Sequence, residues 1–215
     1  MSPTTKNLVS VFKLRIGVAI MLSALAGLAI APGAGLRAWQ IIVFALAVLA
    51  SSASAGAFNQ YFERELDSGM KRTRDRPFVT GQFEVGSYWL SIIGIMLLVS
   101  VLAASVATNV VAGLFVFLGA FTYGVVYTVW LKRRTWLNIV VGGLSGSFAV
   151  LAGAAAVNPT LTPAPILLAV VLFLWTPPHF WSLAYVYAKE YRDAGVPMLP
   201  AVASESVTAW VIFAH

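Results

Sequence analysis

Cysteine is absent and histidine occurs only twice. That excludes disulfides and thiolate metal sites and leaves the redox compartment open. Charge is equally scarce. Only 10% of the 215 residues are Asp, Glu, Lys or Arg, while 60% are hydrophobic. A soluble globular domain carries about 25% charged residues, so this composition excludes that class and points to a polytopic membrane protein. Internal repeats and low-complexity linkers are also missing, and one membrane domain over residues 1–215 is the economical reading. The formal charge of +6 does not call for nucleic acid, because Lys and Arg mark cytoplasmic loops in such chains.

What is present is a series of apolar runs. A bilayer core needs about 20 apolar residues per helix, and six stretches qualify: 16–32, 39–60, 87–106, 110–130, 137–157 and 165–187. A seventh begins near Val207 and stops at His215, too short to cross, so either the chain is a fragment or its last segment does not span by itself. Lys13 and Arg15 precede an apolar stretch ending in Ala29-Ile30-Ala31, a pattern shared with signal peptides. The long N-terminal region, Pro32 and the later spans favour a retained first helix. The N-terminus and the connections 61–86, 131–136 and 188–206 hold 13 of the 14 Lys and Arg, and the alternate connections hold only Arg37. This asymmetry predicts a cytoplasmic N-terminus, with the long, charged and aromatic connections on the same side. Runs such as "SSASAGA" and "VVGGLSGS" supply small residues that let helices approach closely in lipid.

The scarce charges are concentrated. Nine of the 22 lie between Glu63 and Arg76, in "NQYFERELDSGMKRTRDR" from Asn59. Asn59, Glu63 and Asp67 are spaced i, i+4, i+8. On a continuing helix they share one face, rising about 6 Å per step. Oxygen ligands stacked this way suit Mg2+, which takes one or two protein carboxylates and completes its shell with water and phosphate. The Arg and Lys residues that follow suit the remaining oxygens of a diphosphate, and Gly69 lets the chain turn back. A solvated loop whose charges only set topology is the alternative, although topology needs no regular oxygen spacing. Lys132, Arg133 and Arg134 at a helix end read as a topology signal or a further anion contact. Pro177 and Pro178 predict a kink or break in the sixth span. His179 directly after them is either a packing residue among Trp175, Phe180 and Trp181 or a functional intramembrane group. Glu190 and Asp193 form either a second carboxylate pair for metal or a solvated helix end.

Four stretches together, "NQYFERELDSGMKRTRDRP", "LKRRTWLNIVVGG", "LWTPPHFWSLA" and "DAGVPMLP", resemble the protohaem IX farnesyltransferases (haem O synthases) among the UbiA-type intramembrane prenyltransferases. The similarity runs from about Phe12 to Pro200. It implies an all-α transmembrane bundle of the UbiA type, longer than this chain. The implied activity transfers farnesyl from farnesyl diphosphate to a vinyl group of haem B, with Mg2+ as cofactor. By position, Asn59, Glu63 and Asp67 would be catalytic and hold Mg2+, with Lys132 also catalytic. Arg72, Arg74, Arg76 and Arg133 would bind phosphate, and His179 would face haem. Glu190 stands where this branch commonly has Asp, as a candidate second-metal ligand. Phe58, Tyr61, Tyr123, Tyr127 and Trp175 are candidates to stabilise a passing carbocation. The absence of an Arg- and Ser-rich presequence favours a bacterial inner-membrane location, and the resemblance further implies contact with lipid, with haem A synthase or oxidase assembly proteins as candidate partners. The alternatives are a sister prenyltransferase acting on a quinone or tetrapyrrole precursor, and a transporter with its site at the sixth helix.

Overall fold

The computed structural model describes residues 2–215, and every regular element among them is helical. α1 (Pro3–Val11) and α2 (Leu14–Ile30) form a pair bent by 47°. The other spans are α3 (Ala38–Phe62), α5 (Tyr88–Ala107), α6 (Val110–Phe121) continued by a π-helical stretch through Leu131, α7 (Asn138–Val157) and α8 (Pro163–Val186). Short helices α4 (Arg64–Ser68), α9 (Ala188–Asp193) and α10 (Leu199–Val202) lie in the long connections, and α11 (Glu205–Ala214) closes the chain. The six predicted spans are therefore present, the first counted as the bent pair.

Just over half of the apolar stretch in α3 and α7 is buried, against about a fifth in α5 and α8. The first two are thus the inner helices, and the last two turn Leu102, Val106, Leu167 and Val171 outward, as lipid contact allows. Small residues explain how the inner helices pack. Gly27 of α2 and Gly153 of α7 stand so close to the facing backbone that a β-carbon on either would overlap Val150 or Ala24 main-chain atoms. Close backbone approach of this kind is the main source of helix association in lipid, where apolar side chains gain little by leaving the solvent. Hydroxyl and amide groups add inter-helix bonds. Ser54 Oγ donates to Ile93 O at 3.0 Å, Ser147 Oγ to Ala169 O at 2.8 Å, and Gln40 Nε2 to Ala107 O at 2.7 Å.

The tight turn between α5 and α6 depends on Asn109. Its Oδ1 caps α6 by accepting from Ala112 N at 3.0 Å, while its Nδ2 donates to Ala155 O at 2.7 Å. At the opposite end of the bundle the long connections are tied down. Phe78 and Phe83 pack with Trp89 of α5. Met70 joins Tyr191, Val196 and Met198 in a second apolar cluster. These two anchors fold the charged segment after α3 back over the bundle.

The predicted break at Pro177–Pro178 is not found: α8 runs unbroken from Pro163 to Val186. Each proline removes one donor, which frees the carbonyls of Phe173 and Leu174, a loss that membrane-spanning helices tolerate. On either side of the pair, Thr176 Oγ1 donates to Leu172 O at 2.7 Å and Ser182 Oγ to Pro178 O at 2.7 Å.

Candidate functional site

A cavity of about 780 Å3 opens between α2, α3, α6, α7 and α8. Its wall changes character along its length. Ile20, Val48, Phe115, Val116 and Ala149 line the apolar part, and Lys13, Asn59, Glu63, Arg72, Arg76 and Lys132 gather at the charged part.

The charged part is built where α3 ends. The helix does not continue straight through to Asp67: Phe62 is its last residue, and Glu63 takes φ −92°, ψ 6° before α4 begins. The four-residue rhythm nevertheless survives, because Glu63 N bonds Asn59 O at 3.0 Å and Asp67 N bonds Glu63 O at 2.8 Å. All three oxygen-bearing side chains are buried, at 1–2% exposure. Asn59 Nδ2 donates to Glu63 Oε2 at 2.8 Å and to Thr128 Oγ1 at 3.1 Å. Lys132 Nζ meets the same Glu63 oxygen at 2.5 Å. Asp67 does not line the cavity itself but pairs at 2.5 Å with Arg76, which does.

The π-helical stretch Thr122–Leu131 sets the opposite wall. Its wider turn, seen in Lys132 N bonding Tyr127 O at 2.9 Å and Thr128 Oγ1 bonding Tyr123 O at 2.8 Å, is a device that recurs at functional sites. Tyr123 and Tyr127 stack with ring centres 5.7 Å apart. Lys13 lies 5.4 Å from the first ring centre and Lys132 5.7 Å from the second, within the range of cation–π attraction. Beyond the stretch, buried Asn138 donates to Thr135 O at 2.6 Å and Lys132 O at 3.4 Å, fixing the turn that carries Lys132.

The predicted residues therefore divide. Asn59, Glu63, Arg72, Arg76 and Lys132 come together on the cavity wall, with Asp67 directly behind Arg76. Arg74 and Arg133 are exposed and absent from that wall. His179 is exposed on α8, stacked at 4.3 Å on Trp175, whose own side reaches the cavity. Glu190 lies off the wall, next to cavity-lining Tyr191, with a buried Oε2 that has no hydrogen-bond partner. Among the proposed aromatics, Tyr123, Tyr127 and Trp175 reach the cavity. Phe58 and Tyr61 instead pack against Phe62 and Phe78.

Two residues escaped the sequence reading. Lys13 was taken only as a charge flanking the first span, yet its Nζ reaches Asn59 Oδ1 at 2.5 Å and Tyr123 OH at 2.8 Å. Asn138 offered no signal beyond being polar at the start of an apolar run.

Whether the site suits a hard divalent cation can be judged from its oxygens. No three acidic or histidine side chains converge on one point among the described residues. Glu63 Oε1 is buried with no hydrogen-bond partner, and an unsatisfied buried carboxylate oxygen is costly unless a cation meets it. Together with Asn59 Oδ1 this gives one carboxylate and one carbonyl on the cavity wall, with Asp67 set behind Arg76. That donor set fits Mg2+, which draws its remaining ligands from water and phosphate.

A sequence model of the UbiA prenyltransferase family matches residues 20–215. The chain is 57% identical, over its whole length and 75% of the relative's, to protoheme IX farnesyltransferase 2 of Paramagnetospirillum magneticum. It is 45% identical, over 99% of its length and 74% of the relative's, to protoheme IX farnesyltransferase 1 of the same organism. Its fold matches that of a UbiA homolog from Archaeoglobus fulgidus bound to DMAPP and Mg2+, with a TM-score of 0.82 over 97% of this chain and 73% of that one. Sequence identity to that structure is 15%, so this likeness concerns the fold.

Proposed function

Because the chain belongs to the UbiA prenyltransferase family, among the protohaem IX farnesyltransferases, we propose that its parent protein transfers farnesyl from farnesyl diphosphate to a vinyl group of haem B, giving haem O. The observation that carries this reading is a cavity charged at one end and apolar along the rest, matched to a substrate with a diphosphate head and a long hydrocarbon tail. The allylic C1–O bond breaks with its electron pair leaving on diphosphate. The vinyl π electrons form the new C–C bond, and water captures the resulting cation, releasing a proton.

The chain's own groups do the following work. Lys132, Arg72 and Arg76 supply positive charge at the end where diphosphate charge grows, and fixed charges placed there lower the barrier. The hydrogen bonds of Glu63 to Asn59 Nδ2 and Lys132 Nζ hold those groups in register before substrate arrives. Tyr123, Tyr127 and Trp175 offer aromatic faces to the allylic cation, and the apolar wall keeps water from it. Asn59, Glu63 and Asp67 would hold Mg2+, which when bound neutralises the leaving diphosphate. Glu190, with its unpartnered oxygen, is the candidate for a second ion. We assign Arg74 and Arg133 to phosphate approach from the surface, and His179 to a haem lying against the outer side of α8. The charged end is read as cytoplasmic by the Lys and Arg bias of the connections, and the membrane as a bacterial inner membrane. One membrane domain is the expected organisation, and the chain spans about three quarters of the length of these two relatives.

The test is expression of the complete parent in cells lacking their own enzyme. Accumulation of haem O, dependent on Mg2+ in isolated membranes, is the expected result. A prenylated quinone with no haem O would support the sister enzyme, and substrate uptake with no prenylated product would support the transporter.

A further inference from the structure

Lys13 stands out on three independent observations. It is the only non-glycine residue of positive φ among the described residues, at +46°, a left-handed backbone that side-chain-bearing residues avoid. It sits at the 47° bend between α1 and α2. Its stem passes over Gly56, where an added β-carbon would stand 3.2–3.4 Å from Lys13 Cβ, Cγ and Cδ. A lysine at a membrane boundary ordinarily extends its ammonium to water. Here a strained backbone and a side-chain-free groove turn it inward.

Its target is equally defined. Asn59 Nδ2 is committed to Glu63 and Thr128, so the amide cannot flip without losing both bonds. Its Oδ1 is left facing Lys13 Nζ, which takes it at 2.5 Å. That same oxygen is the one a divalent cation would need. An ammonium and a divalent cation meeting on that one oxygen would repel each other at short range. Tyr123 OH, at 2.8 Å from the ammonium, gives Lys13 a second partner to retain when it leaves Asn59. The flexible four-carbon stem and three rotatable donors of a lysine suit such a movement.

We propose that Lys13 is an internal cation that occupies Asn59 in the empty site and moves onto diphosphate oxygens when they arrive, so that metal and diphosphate bind together and neither binds well alone. The proposal rests on the reading of Asn59 and Glu63 as metal ligands. In this scheme Lys13 withholds one ligand until negative charge is present to separate it from the metal.

The experiment is a Mn2+ titration followed by electron paramagnetic resonance on the full-length parent in lipid nanodiscs, with and without inorganic pyrophosphate. It compares wild type with Lys13→Met, Lys13→Gly and Glu63→Gln. Glycine accepts the left-handed backbone, so the second variant relieves strain where the first preserves the stem. In wild type, pyrophosphate should tighten Mn2+ binding by a factor in the upper part of the usual coupling range, about 5–150-fold. Both Lys13 variants should bind Mn2+ alone about tenfold more tightly than wild type, and the gain from pyrophosphate should shrink by a similar factor. Unchanged or weaker Mn2+ binding in both variants overturns the proposal. So does a wild type that binds Mn2+ equally well with and without pyrophosphate, a result independent of any variant. If Glu63→Gln retains full Mn2+ binding in the presence of pyrophosphate, the ligand assignment fails and the proposal falls with it. If Glu63→Gln loses that binding while the Lys13 variants shift nothing, the ligand assignment stands and this proposal alone is rejected.

Discussion

The Glu63–Lys132 pair offers a perturbation in which stability and activity should separate. Its charged atoms are 2.5 Å apart, with side-chain exposures of 1% and 11%, so both charges are largely out of water. Removing one partner of a buried pair leaves an uncompensated charge, at a cost of about 3–5 kcal/mol. Lys132→Met should show this cost, since Glu63 keeps only the 2.8 Å bond from Asn59 and its other oxygen already lacks a partner. Glu63→Gln should show it too, stranding the ammonium of Lys132. At about 2–4 °C per kcal/mol for a chain of this size, each single variant should melt roughly 6–20 °C lower, measured by thermal unfolding in detergent. The double variant Glu63→Gln/Lys132→Met removes both charges together and should recover most of that loss. Turnover should not recover, because the double variant still lacks the carboxylate and the ammonium at the diphosphate end. It should remain at least about 100-fold below wild type, the scale of losing one electrostatic stabiliser. A double variant as unstable as the singles would refute the coupling of this pair. A stable double variant with normal turnover would refute its part in the reaction.

The other expectations are simpler. Asp67→Asn should abolish farnesyl transfer while membrane insertion stays intact, and normal product yield from it would remove Asp67 from the metal assignment. Chelation of divalent ions in membranes should stop product formation, and added Mg2+ should restore it; activity that survives chelation would count against a metal-held diphosphate. Gly153→Val places side-chain atoms on the main chain of Ala24 and should cost more than the roughly 1–3 kcal/mol typical of overpacking, seen as a loss of the folded peak in the size-exclusion profile. His179→Ala should weaken haem binding more than farnesyl diphosphate binding, measured by absorbance titration and ligand competition. Equal loss of both, or of neither, would exclude a haem-facing role.

The spans were legible because lipid imposes a length and a composition, and both can be read along the chain. The oxygen row was legible for a related reason: in a chain this poor in charge, three oxygen-bearing residues at four-residue spacing need an explanation. What the spacing could not reveal was that α3 stops at Phe62, and that two backbone bonds carry the rhythm across the break. Lys13 was illegible because its role depends on a left-handed backbone and on Gly56, neither of which leaves a local pattern. The π-helical turns between Thr122 and Leu131 were hidden in an ordinary apolar run, since the wider turn changes which side chains meet without changing composition. Pro177 and Pro178 predict a kink or a break, and of these the break is absent. Their cost is a missing donor, and α8 absorbs it without breaking. His179 drew notice as an ionisable residue within a span and through the family resemblance, and neither says which side of α8 it takes.

Two lysines from distant parts of the chain converge on one charged end, each lying over one of a stacked tyrosine pair and each bonded to one of two adjacent oxygen-bearing residues of the same helix end. This arrangement places positive charge at the mouth of an apolar chamber before any substrate binds. Such preorganisation is what a reaction that expels diphosphate requires.

The most direct measurement is mass spectrometry of haem extracted from membranes carrying the complete parent, after incubation with haemin and farnesyl diphosphate. The wild type should yield haem enlarged by one farnesyl group and one hydroxyl group, and Glu63→Gln should yield unaltered haem from the same quantity of folded protein. Unaltered haem from the wild type, or the enlarged product from both, would contradict the account.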